Sequence, residues 1–143
     1  MSGGPASAPD PDGRIERLDH ADCYVLLRGR TLGRVAVKLA DDLVIFPVYY
    51  AVMDDDIVFR TAPGTKLDAA LLKTKVAFEV DGAVPGWSVL VRGHAEEIRD
   101  RAVAQRAEHV LGSDWPAGER DRLVRIRAEQ VTGRRLPPAA TAP

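Results

Sequence analysis

The sequence predicts a mostly β fold, a six-stranded antiparallel split β-barrel with short flanking helices. Three observations predict it. From residue 34 onward most apolar side chains recur with period two. The turns between these runs are short and rich in Asp, Pro and Gly. The long crossovers that parallel strands require are missing. Closing six antiparallel strands on themselves also removes their exposed edges.

The first element is a helix. Asp19 stands at its N-cap, Asp22 lies in its first turn, and Cys23, Leu26 and Leu27 follow at helical spacing. Arg28 sits in the last turn, where a cation suits the helix dipole, and Gly29 follows it. In residues 34–39, Val35, Val37 and Leu39 share one face of a strand. Asp41-Asp42 turns into a second strand over 43–53, apolar on both faces, and Asp54-Asp55-Asp56 turns that into a third over 57–61. A short helix over about 65–72 sets Leu67 and Leu71 one turn apart. Val76, Phe78 and Val80 alternate through a fourth strand, and 81–86 reads as a loop. The fifth strand, 87–98, puts Trp87, Val89 and Val91 on one face and Ser88, Leu90, Arg92 and His94 on the other. Asp100 caps a third helix striped by Val103, Ala107, Val110 and Leu111 and closed by Gly112. The last strand, 123–132, alternates Val124, Ile126 and Ala128 against Arg125, Arg127 and Glu129.

Composition narrows the function classes. The 143 residues suit one domain, expected over 14–136 between disordered tails at 1–13 and 137–143 that hold almost no large apolar side chain. Twenty Lys+Arg against 21 Asp+Glu leaves a net charge of −1, which argues against a nucleic-acid coat protein. A single cysteine excludes an intramolecular disulfide framework and fits a cytoplasmic protein. The longest apolar run, 43–53, is too short to span a bilayer and holds Pro47, and no signal peptide is expected from residues 1–13, which have neither a basic start nor an apolar stretch. His20, His94 and His109 are scattered, so no metal site is expected.

Three stretches carry candidate chemistry. In the first, Arg60 and Thr61 end a strand, a Pro63-Gly64 turn follows, and Thr65 and Lys66 open a helix. A cation in a first helical turn opposes the dipole, and an anion held by Arg60, Thr61, Thr65 and Lys66 would reverse that penalty. The competing reading is a plain Thr65 cap with solvated Arg60 and Lys66. The spacing is not that of a P-loop. In the second stretch, Pro47 cannot donate to a β-ladder, while Val48, Tyr49 and Tyr50 offer flat apolar surface to a planar ligand, or else to the core. The third stretch pairs Trp87, a core residue or a ligand contact, with Ser88 on the opposite face.

In order, IFPVYYAV, IVFRTAPGTKL, VAFEVDG, WSVLVRGHAEEI and EQVTGRRL resemble the pyridoxamine 5′-phosphate oxidase-like family of FMN-binding split barrels, in its small actinobacterial-type branch. The resemblance covers about residues 16–136. It implies a homodimer with two FMN molecules at the subunit interface, acting as an oxidoreductase on a small molecule. Pro47, Val48, Tyr49 and Tyr50 would flank the isoalloxazine, while Arg60, Thr61, Thr65 and Lys66 would hold the phosphate. Trp87 and Ser88 would approach the flavin, and Arg134-Arg135 would reach the partner's site. The chain departs from true pyridoxamine phosphate oxidases at its end. Residues 124–136 lack the Arg–hydrophobic–His/Asn–Asp/Asn–Arg pattern that grips the substrate phosphate, so vitamin B6 oxidation is not expected. Related branches use an 8-hydroxy-5-deazaflavin coenzyme or handle haem. Lys73, Lys75 and Arg92 would serve the acidic tail of the first, and His94 is the candidate axial ligand of the second.

Overall fold

The computed structural model describes residues 15–112 and 121–137, and the side chain of Lys66 lies outside that description. The tails expected at 1–13 and 137–143 fall, Pro137 apart, outside the described residues. The elements run β1 (Glu16–Leu18), α1 (His20–Arg28), β2 (Leu32–Leu39), β3 (Asp42–Met53), β4 (Asp56–Thr61), α2 (Lys66–Leu71), β5 (Lys75–Ala83), β6 (Gly86–Glu97), α3 (Arg101–Leu111) and β7 (Arg122–Arg135).

Six strands close a barrel. The order β7-β4-β3-β2-β5-β6 is antiparallel throughout, and β6 pairs back onto β7. β1 is an addition that the sequence pattern does not announce; it pairs with Gly133–Arg135 at the far end of β7. β7 therefore keeps β6 along one edge and divides its other edge between β4, over Arg122–Ile126, and β1. Between those two pairings the Ala128 N–H donates to Asp56 Oδ1 at 2.9 Å, so a side chain takes over where the ladder parts.

Period two decides what is inside. Val35, Val37, Ile57, Phe59, Phe78, Val89, Val91, Val124 and Ile126 face the interior and are buried. α1 adds Cys23, Tyr24 and Leu27 to this core, and α2 adds Leu71. α1 starts and stops as expected: Asp19 accepts from Asp22 N at 2.7 Å, and Gly29 N donates to Leu26 O at 3.1 Å. Burial, with Asp19 and Asp22 nearby, pushes the Cys23 thiol up to about 11, so it is an inert packing group. α3 makes a second cluster outside the barrel, where Ala107 and Leu111 meet Met53 and Val58. The β3–β4 hairpin turns on Asp54 and Asp55, both at positive φ (51° and 66°), the hand that matches strand twist. The helices seize this turn: Tyr24 Oη donates to Asp55 O at 2.6 Å, Arg28 pairs with Asp55 at 2.9 Å, and Arg106 of α3 pairs with Asp54.

Three boundaries differ from expectation. The loop expected over 81–86 shrinks to Val84-Pro85, because β5 and β6 pair to Ala83↔Gly86. β2 starts at Leu32, since Gly33 lies under the Phe78 ring where no Cβ would fit. β7 passes Thr132 to Arg135, recruited by β1 on one edge and β6 on the other.

Candidate cofactor-binding site

β3 is apolar on both faces, and the structure gives the two faces different fates. Val48 and Tyr50 point into the barrel and are buried. On the outer face Leu43 is 85% exposed, Ile45 68% and Tyr49 41%, with exposed Pro47 between them. Leu32, directly opposite Tyr49 on β2, is 45% exposed. Contiguous exposed apolar residues of this kind mark a surface that a ligand or another chain covers.

The two tyrosines thus separate. Tyr50 Oη donates to Leu27 O at 2.5 Å and its ring meets Phe78 edge-on at 4.8 Å. Burial drives its phenol well above the ordinary value, so it stays a neutral donor in the core. Tyr49 is the one on the outer face. Tyr50→Phe should cost about 1–2 kcal/mol, since it strands the Leu27 carbonyl, and it should leave cofactor affinity unchanged. Urea denaturation beside ligand titration checks both halves.

Beside Pro47 on this outer face lies an ion cluster. Pro47 is opposite Arg34, and Arg34 is opposite Glu79. One Arg34 nitrogen donates to Glu79 and Asp81, 2.6 Å each. The two carboxyls are pushed apart: burial raises Glu79, while hydrogen bonds from Glu79 and Arg34 lower Asp81.

The expected anion cradle is partly assembled. Thr65 caps α2, accepting from Asp68 N at 2.9 Å. Arg60 and Thr61 are consecutive on β4 and so address opposite faces. Arg60 runs along α3 to Glu108 at 2.5 Å, while its buried Nε has no hydrogen-bond partner. Thr61 is opposite Arg122, whose guanidinium reaches buried Asp68 of α2 at 3.0 Å. Asp68 Oδ2 also accepts from Gly64 N at 3.3 Å, and its Oδ1 is buried without a partner. Thr61, Gly64 and Thr65 therefore meet around an Asp68–Arg122 pair that sequence reasoning missed. The Thr65-x-x-Asp68 spacing, close to a capping box, was the available signal for Asp68.

Trp87 is buried, with the Arg30 guanidinium 5.4 Å from its ring centroid. Ser88 is half-buried on the outer face, between Asp81 and Arg134. Arg134 and Arg135 are exposed at the end of β7. Of the residues tied to other cofactors, His94 Nδ1 lies 2.5 Å from Glu129, Lys75 pairs with the same carboxylate at 3.4 Å, and Arg92 reaches Gln130 at 3.3 Å. Lys73 is exposed. Among the described residues no group of three His, Cys, Asp or Glu side chains could hold a metal, and no helix is long and apolar enough to cross a membrane.

The row Pro47–Arg34–Glu79–Leu90 crosses four strands of the outer face. It sets the Pro47–Tyr49 segment about 14 Å from β6, three strand spacings away. Within one chain, Tyr49 and Ser88 thus stand on strands three spacings apart.

Comparison with known proteins agrees with this architecture. An FAD-binding protein of Mycobacterium smegmatis is 37% identical, with a TM-score of 0.77 covering 85% of this chain and 98% of that one. An FAD-binding protein of Mesorhizobium loti is 27% identical, with a TM-score of 0.74 over 85% and 97% of the two chains. The uncharacterized protein Rv0080 of Mycobacterium tuberculosis is 31% identical over 139 residues, 91% of each chain. The family model described as pyridoxamine 5′-phosphate oxidase matches residues 19–135, which span the barrel from the cap of α1 to the last residue of β7. With that match over most of its length, the chain belongs to the pyridoxamine 5′-phosphate oxidase family.

Proposed function

We propose that this protein is a flavoprotein that binds its flavin nucleotide between two copies of the chain and serves as a cytoplasmic oxidoreductase on a small molecule. The observation that carries the reading is the exposed apolar face of β3, where Leu43 and Ile45 stand exposed on the strand that carries Pro47. A second copy would cover this face and bring its own β6 toward Tyr49, whereas within one chain β6 lies about 14 Å away, three strand spacings. FMN is the nucleotide that the sequence motifs favour, while the two FAD-binding relatives favour the dinucleotide. Both contain the ring, ribityl chain and first phosphate that this face has to accommodate.

The residues present fit the ring better than they fit the full phosphate cradle. Pro47 and Tyr49 supply an exposed flat surface, and Thr61, Thr65 and Ser88 supply hydroxyls. Arg60 would have to leave Glu108 or offer only its unpartnered Nε. Tyr50 contributes stability rather than contact. When bound, a flavin supplies hydride or electron transfer, and the chain's part is to bind it, orient it and keep water from one face.

The test is the absorbance and fluorescence of the purified protein titrated with FMN and with FAD, beside its mass by light scattering. Saturable quenching of either flavin by a dimer is expected. A monomer, or a dimer that quenches neither flavin, overturns the reading.

A further inference from the structure

The arginines of the described chain are mostly ion-paired, from Arg34 on its two carboxylates to Arg125 on Asp56. Arg17 and Arg134 are among those that are not, and their placement sets them apart from Arg30, Arg92, Arg101 and Arg135. They are directly opposite one another on β1 and β7, both are exposed, and neither makes an ion pair among the described residues. Like charges in direct cross-strand register repel, so the pairing lowers the stability of the strand that carries it.

Placement makes the pair more than a solvated edge. Leu18 and Gly133, also opposite one another, lie on the core side, where the Cys23 sulfur and Leu18 fill the space a Gly133 Cβ would need. Arg17 and Arg134 therefore face outward. Arg134 is also opposite Ser88, and Ser88 is opposite Asp81, so the row reads Asp81–Ser88–Arg134–Arg17. The acid in that row is already held by Arg34 at 2.6 Å. Two arginines and a serine thus occupy adjacent positions of one cross-strand row, and neither arginine is ion-paired among the described residues. Guanidinium groups match phosphate and carboxylate oxygens bidentately.

From this juxtaposition we infer that Arg17 and Arg134, with Ser88, form an oxyanion subsite on the outer face of the barrel, recognising a phosphate-type group. The group is either the second phosphate of a dinucleotide flavin or an anionic substituent of the substrate. The choice between them rests on the flavin reading; the subsite itself does not. β1 then has a purpose beyond lengthening the sheet, since it delivers Arg17 to Arg134.

The experiment compares the full chain with Arg17→Gln/Arg134→Gln, measuring thermal midpoints with and without inorganic pyrophosphate and affinities for FMN and FAD. Without ligand the variant should melt at the same temperature as the parent or higher, because the repulsion is gone; this separates lost binding from lost folding. Pyrophosphate should raise the midpoint of the parent and not of the variant. A fall in FAD affinity of about tenfold or more, with FMN unchanged, assigns the oxyanion to the cofactor. Unchanged affinities for both flavins, with the pyrophosphate response lost, assign it to the substrate. If the parent binds neither flavin yet loses its pyrophosphate response on substitution, the subsite stands and the flavin reading falls. A pyrophosphate response that is equal in both proteins, or absent from the parent, overturns the subsite.

Discussion

Asp56→Ala should destabilise the protein by about 3–5 kcal/mol, measured by urea denaturation at neutral pH. Asp56 is buried at the start of β4 and accepts from Arg125 Nε at 2.8 Å and from Ala128 N at 2.9 Å. Arg125 is buried as well, and its other carboxylate, Asp54, stands 3.9 Å away. Removing Asp56 leaves a guanidinium with one distant partner and a backbone N–H with none, at the point where β7 has left β4 and has not yet met β1. Each lost partner exposes a desolvation penalty rather than a mere bond. Asp56→Asn keeps the acceptor for Ala128 and loses only the charge, so it should fall between the two. If Asp56→Ala costs under about 1 kcal/mol, the pair is open to water and the split is not held by it.

Gly93→Ala should cost about 3 kcal/mol, at the upper end of overpacking effects. A Cβ on Gly93 would lie 1.8 Å from the Arg127 carbonyl oxygen, and backbone cannot swing aside as a side chain can. Gly93 is where the register of β6 on β7 slips: Arg92 is opposite Gln130 but Gly93 is opposite Ala128. The extra residue, Glu129, is the one that gathers His94 and Lys75. A bulge turns the strand locally and re-aims its side chains, so the variant should also scramble the His94–Glu129 contact. Thermal unfolding reads the first effect. The His94 ring resonances in an NMR spectrum read the second.

Much of the barrel was legible because each hairpin is local. Val35/Val37, Val76/Phe78/Val80 and Val124/Ile126 alternate cleanly, and Asp19, Thr65 and Asp100 each cap the helix their position announced. β1 was not legible. Three residues are too few to show a period, two of them are charged, and their partners lie more than a hundred positions away. The end of β7 was hidden by Gly133, which reads as a strand breaker until Leu18 and Cys23 are seen occupying its side-chain space.

The candidate site divides the same way. That β3 had two apolar faces was plain in the sequence, but which tyrosine stayed outside depended on register. Arg60 and Thr61 look like companions in the linear sequence, but adjacent strand residues point apart, and period two at that position separates them. No sequence pattern could place Glu108 of α3 on Arg60, or Arg122 on Asp68, because both pairs join elements brought together only by closure of the barrel.

That closure has a consequence for how the chain is made. β7 emerges from the ribosome after every other described strand, yet it is the stave that both β4 and β6 require. Until it arrives, two raw sheet margins and the greasy side of β3 wait together on a nascent chain. Slow translation through the region between α3 and β7 would lengthen that wait, and the yield of intact protein should suffer there first.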